Sequence, residues 1–184
     1  MVNEIVQLLL RYGALEYGDF VLASGEKSSY YLDIKKVVTR PEALQGIAAL
    51  ISRMYDFEVV AGVAVGGIPL AVAVSLMSGK PFAIVRSQEK GHGKPGMVIG
   101  EVGGRRVLLV EDVTTSGSSV LQGIRALREA GGVVDTAVVV VDREAGAEES
   151  LAREGVRLEA LAKASEMLGA GKETAIVNRH GSDT

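Results

Sequence analysis

Two adjacent acids, Glu111 and Asp112, stand between the aliphatic run Val107-Leu108-Leu109-Val110 and the segment Val113-Thr114-Thr115-Ser116-Gly117-Ser118-Ser119. Carboxylates accept hydrogen bonds from vicinal hydroxyls. Small residues entering a helix let backbone N–H groups converge on an anion at the helix's positive end, and Thr and Ser hydroxyls add donors. Acids followed directly by an anion cradle suit a ribose phosphate. The plainer alternative is a strand-to-helix turn in which Thr or Ser merely caps the helix.

A second candidate loop is Gly66-Gly67-Ile68-Pro69, where a glycine pair after a β-branched run permits close approach of backbone to a ligand or simply a tight turn. A third is the stretch 86–104, in which six glycines are interleaved with Arg86, Lys90, His92 and Lys94. This reads as a mobile basic loop able to fold over a polyphosphate. Gly91-His92-Gly93-Lys94-Pro95-Gly96 matches a dinucleotide-binding expression, but it opens no helix and contains a proline, so the match is accidental. A Walker loop is absent, because Gly117 is followed by Ser118-Ser119 rather than Lys.

These loops need a scaffold, and the apolar pattern supplies one. Strands are expected over 59–65, 82–86, 107–110 and 137–141, and helices over 2–12, from Pro41 to about Met54, and over 69–78 and 118–130. A last strand-helix pair follows Val156, and 17–36 reads as irregular. Continuous aliphatic strands alternating with helices predict an α/β fold, a mostly parallel twisted sheet flanked by helices, with ligands at the strands' carboxyl ends.

The 184 residues fit a single domain. A net charge of -3 gives no global field for nucleic acid, and zero cysteines exclude a disulfide framework and thiolate metal sites. The uncharged 19 residues from Val59 to Met77 approach the length of a membrane span, yet Gly66 to Pro69 splits them into strand and helix, so no membrane span is expected. With no leader expected at the start either, the reading is cytoplasmic. The tail 178–184 is polar and expected to fray.

The 111–119 segment resembles the diphosphate-sugar motif of type I phosphoribosyltransferases, and further segments are similar to their orotate-using branch. Phe20-Val21-Leu22-Ala23-Ser24-Gly25 with Ser28, Tyr30-Tyr31 and Asp33 resembles that family's small N-terminal hood, near 1–36. Arg86 through Lys90-Gly91-His92-Gly93 resembles its catalytic loop, and Val141-Asp142-Arg143-Glu144 its base-binding segment. The resemblance covers nearly the whole chain.

It implies that Glu111 and Asp112 hold the ribose hydroxyls, that Val113, Thr114, Thr115, Ser116, Gly117, Ser118 and Ser119 form the 5-phosphate cradle, and that Thr115 and Arg143 hold orotate. Arg86, Lys90 and His92 would meet the diphosphate, with Lys90, His92 and Asp112 as catalytic residues. An Arg at 143 makes physical sense, since a substrate carboxylate calls for a planar cationic fork; the alternative is a surface ion pair with Asp142 or Glu144. The resemblance further implies a homodimer in which the loop bearing Lys90 and His92 reaches the neighbouring subunit. The implied reaction is Mg2+-dependent transfer from phosphoribosyl diphosphate to orotate in pyrimidine biosynthesis. Mg2+ prefers phosphate oxygens and water, so no dedicated protein metal site is expected. Three positions depart from relatives that carry Lys there: Ala23, Gly66 and Ser87. Competing readings are a transferase for another base, such as a purine, and a non-catalytic sensor of phosphoribosyl diphosphate.

Overall fold

The structure is a computed structural model describing residues 4–21, 25, 27–87 and 96–171. In chain order its elements are α1 (Glu4–Arg11), β1 (Leu15–Val21), β2 (Lys27–Leu32), α2 (Ile34–Val38), α3 (Pro41–Met54), β3 (Val59–Val63), α4 (Gly67–Ser78), β4 (Phe82–Val85), β5 (Val98–Ile99), β6 (Val107–Thr114), α5 (Ser118–Glu129), β7 (Thr136–Asp142), α6 (Ala147–Ala152) and β8 (Arg157–Lys163). A helix follows over 164–171.

Strands buried on both faces are largely aliphatic; β3 and β7 are buried at every residue, β7 with Thr136 and Asp142 at its two ends. They belong to a six-stranded sheet in the order β5-β4-β3-β6-β7-β8, parallel except for the short β5. Strand alternation sends Val60, Leu108, Val110 and Val138 into a core shared with α1 to α4. Val59, Ala61, Leu109 and Val139 go to the opposite core with Val120, Ile124 and Leu127 of α5. Each buried aliphatic side chain contributes about 1.5–3 kcal/mol relative to exposure. The expected parallel, helix-flanked α/β sheet is therefore what forms.

Helix ends follow local chemistry. Pro41 opens α3 at a position where its missing N–H costs nothing, and Gly79, at φ +70°, ends α4 in the left-handed conformation. At the strands' amino ends, Arg106 Nη1 pairs with Asp56 (2.9 Å) and its Nε with Glu58 (3.6 Å), while Lys80 reaches Asp56 (3.6 Å).

Several expectations need correction. The 17–36 region is not irregular: β1 and β2 form an antiparallel hairpin with a bulge between Tyr17 and Phe20, and α2 begins after Asp33. The β6 strand does not stop at Val110 but runs to Thr114, because its partner β7 continues alongside to Asp142. The acids therefore lie within the strand rather than in a loop. The β3 strand ends at Val63, two residues early, and α4 starts at Gly67 rather than Pro69. Two short elements, β5 inside the glycine-rich stretch and α6, were not anticipated. Among the described residues no helix is long and apolar enough to cross a membrane.

Candidate functional site

The carboxyl ends of β3, β6 and β7 are neighbours in the sheet, and they bring Gly66, Glu111–Ser119 and Arg143 together from three distant parts of the chain. Both acids are buried, at 5% exposure for Glu111 and 3% for Asp112. Glu111 Oε1 accepts from the Asp112 backbone N–H (3.0 Å), and Asp112 Oδ1 accepts from the Val113 N–H (2.9 Å). Lys35 Nζ, carried by α2, lies 3.1 Å from Asp112 Oδ2, as an ion pair without hydrogen-bond alignment. Burial alone would lower the Lys35 pKa, but Asp112 and then Glu111 raise it on balance.

Close approach requires glycine at 66. A Cβ there would sit 2.3–2.4 Å from the Asp112 carboxylate atoms. The buried Thr114 Oγ1 has no hydrogen-bond partner among the described residues, an open polar group that a ligand can satisfy.

Burial, reinforced by the negative charge of Asp112, pushes the Glu111 carboxyl up to about 8 from an ordinary 4.5. The folded protein thus holds a proton there that the unfolded chain has released. The associated stability is fully present below the ordinary carboxylate pKa and is lost as pH rises through about 8. Glu111→Gln is expected to flatten this decline, which reaches at most about 1.4 kcal/mol per pH unit. Urea unfolding of the ligand-free protein at pH 5 to 9 checks it, and a slope unchanged by the substitution refutes it.

The candidate anion cradle lies at the start of α5. Neither Thr nor Ser caps that helix: the N-cap is Gly117 in the left-handed conformation, φ +84°, and its carbonyl accepts from Leu121 N–H (2.8 Å). A Cβ at 117 would also press on Leu151 Cδ1 at 2.9 Å. Ser116 Oγ and Ser118 Oγ are 2.8 Å apart. The first N–H groups of α5 therefore have no side-chain cap, the condition under which a helix start accepts a phosphate.

Arg143 follows β7, and its N–H donates to the Thr114 carbonyl (2.9 Å), tying the two strand ends together. The alternative surface ion pair does not form: among the described residues no carboxylate lies at ion-pair distance from Arg143. Asp142 Oδ1 accepts from Glu144 N–H (2.9 Å). Glu144 is held by Ser165 N–H (2.8 Å) and Oγ (3.1 Å), bonds that keep its carboxyl below the usual range. The guanidinium instead lies over the Tyr30 ring of β2, 5.7 Å from its centroid.

Arg86 Nη1 donates to the Gly96 carbonyl (3.0 Å) at the base of the glycine-rich stretch. Lys90 and His92, like Ala23, lie outside the described residues. Sequence reasoning missed Lys35. It stands on α2, which Asp33 caps by accepting from Lys36 N–H (3.0 Å), and only the fold brings that short helix against β6.

Known proteins share the sequence and the fold. The family model for the phosphoribosyl transferase domain matches residues 33–159. The orotate phosphoribosyltransferase of Methanocorpusculum labreanum is 58% identical over 168 residues, covering 91% of this chain and 99% of that one. A crystal structure of orotate phosphoribosyltransferase from Aeropyrum pernix superposes with a TM-score of 0.80 at 38% identity, over 90% of this chain and 97% of that one. That of the Mycobacterium tuberculosis enzyme in complex with 5-phospho-alpha-D-ribosyl 1-diphosphate gives 0.74 at 30% identity, over 90% and 97%.

Proposed function

The chain belongs to the orotate phosphoribosyltransferase family, and from that premise we propose that it transfers the 5-phosphoribosyl group of phosphoribosyl diphosphate to orotate. The products are orotidine 5-monophosphate and diphosphate, in pyrimidine biosynthesis. The observation that carries this reading is the run from the buried acids Glu111 and Asp112 into an uncapped helix start, with Arg143 tied to the same strand end.

In this reading Glu111 and Asp112 accept from the ribose hydroxyls, and Val113 to Ser119 hold the 5-phosphate with the N–H groups opening α5. The Arg143 fork takes the orotate carboxylate, with Thr115 beside the base. At C1 the bond to diphosphate oxygen breaks as the bond to orotate N1 forms, and the N1 proton is released. The protein's part is to align base and ribose, to neutralise the departing diphosphate and to exclude water. Arg86, Lys90 and His92 serve the last two, with Lys90 and His92 closing over the site. Ser87 adds no charge of its own, which leaves that task to these three residues.

Mg2+ fits as an ion carried in by the substrate. Among the described residues no group of three or more acids or histidines could hold a metal, and Mg2+ takes the rest of its shell from phosphate oxygens and water. When bound, it spreads the charge of the leaving diphosphate.

The test is loss of orotate absorbance with stoichiometric diphosphate release, in the presence of Mg2+ and phosphoribosyl diphosphate, against adenine, guanine, xanthine and uracil in parallel. Turnover of a purine alone would move the assignment to another base. Binding of phosphoribosyl diphosphate with no turnover would make the protein a sensor.

The proposed assembly is a homodimer sharing the loop that bears Lys90 and His92. Supporting it, α4 is apolar on every side, although a helix of that kind needs cover all round. Leu76 is 81% exposed, and Met77 and Phe82 are exposed near it. Leu76→Asp is expected to halve the mass measured by light scattering; a wild-type protein that is itself monomeric would overturn the dimer.

A further inference from the structure

We propose that Lys35 is a positioning residue of the site: from α2 it fixes the Asp112 carboxylate against the ribose diol. The inference rests on the reading of Glu111 and Asp112 as ribose-binding acids. Besides the Glu111 carboxyl beside it, three groups border the Asp112 carboxylate. The Val113 N–H holds Oδ1 at 2.9 Å, Lys35 Nζ stands 3.1 Å from Oδ2, and the bare Cα of Gly66 leaves the space that the carboxylate occupies. Among the described residues Lys35 is the one cation at ion-pair distance from either acid.

The burial of the two partners is unequal, and that asymmetry points to function. The Lys35 side chain is 65% exposed and that of Asp112 only 5%. An exposed lysine gains little for the fold from such a contact, whereas a buried carboxylate deprived of its counter-charge is left uncompensated. The neighbouring Lys36 is engaged elsewhere, 2.8 Å from Glu16, so one turn of α2 sends one cation to the hairpin and one to the acids. Tyr31 and Glu111 are the other ionisable groups near Lys35.

The experiment compares Lys35→Met, Lys35→Arg and Lys36→Met in steady-state kinetics, with calorimetric binding of phosphoribosyl diphosphate alongside. Lys35→Met is expected to raise KM for phosphoribosyl diphosphate about tenfold, leaving kcat and the orotate KM within about twofold, as loss of uniform binding should. Lys35→Arg should recover most of the loss, and Lys36→Met should behave as wild type. An equal rise in both KM values, no rise at all, or an Arg variant as impaired as Met overturns the proposal. If Lys35→Met melts below the assay temperature, Lys35→Gln is read in its place. Wild-type turnover of orotate tests the underlying reaction separately, and the calorimetric Kd still reads Lys35 where turnover fails.

Discussion

Gly66→Ala is expected to lower kcat/KM for phosphoribosyl diphosphate by about a hundredfold, with a smaller fall in melting temperature than Gly62→Ala, because misplacing a substrate-positioning group by an ångström costs about that much. The backbone at 66, φ -67° and ψ -36°, suits alanine. The new methyl group would instead lie 2.3–2.4 Å from the Asp112 carboxylate. That carboxylate ends a short, buried side chain, and in turning aside it gives up Val113 N–H and Lys35, so the fold loses some stability along with the site's geometry. Gly62→Ala supplies the contrast. There the added carbon meets the Gly67 carbonyl oxygen, which is backbone, so stability should fall first. Thermal melts and steady-state kinetics of the two variants check the pair. A Gly66→Ala enzyme with normal kinetics would show that Asp112 need not occupy its present position.

Arg143→Ala should raise the orotate KM by about 10- to 100-fold, the equivalent of about 1.5–3 kcal/mol for hydrogen bonds to a charged group. Binding of phosphoribosyl diphosphate should stay near wild type, because the tie from Arg143 to Thr114 runs through its backbone N–H, which alanine retains. Lys at 143 should recover little, since an ammonium lacks the planar fork and stacks less well over Tyr30. Initial rates at varied orotate and fixed phosphoribosyl diphosphate provide the check. Unaltered orotate affinity would remove Arg143 from the base site.

The parts of this site that are contiguous in sequence were the legible ones. An aliphatic strand, two acids, a small-residue loop and an amphipathic helix follow one another without interruption, so local pattern was enough to read strand, loop and helix. What local pattern concealed was the depth of Glu111 and Asp112. Acids normally mark a strand's end, but here the β7 ladder carries β6 on to Thr114. The hood hairpin was missed because β1 is largely exposed and broken by a bulge at Tyr17 to Phe20, which blurs the two-residue alternation. The five-residue α2 is too short to show a period, so Lys35 could not be aimed at β6 from sequence. Gly66 had been noted for close approach, but only the fold identifies the approaching group as Asp112.

The ion pairs of Arg106 and Lys80 with Asp56 and Glu58 lie where the strands begin, and the acids, the cradle and Arg143 lie where they finish. The length of the sheet separates a charged base from the rim that carries the candidate site. This polarity offers a handle for holding the molecule. A tether attached among those basal charges, on a sensor chip or in a fusion, would leave the rim facing the solution and its substrates free to arrive.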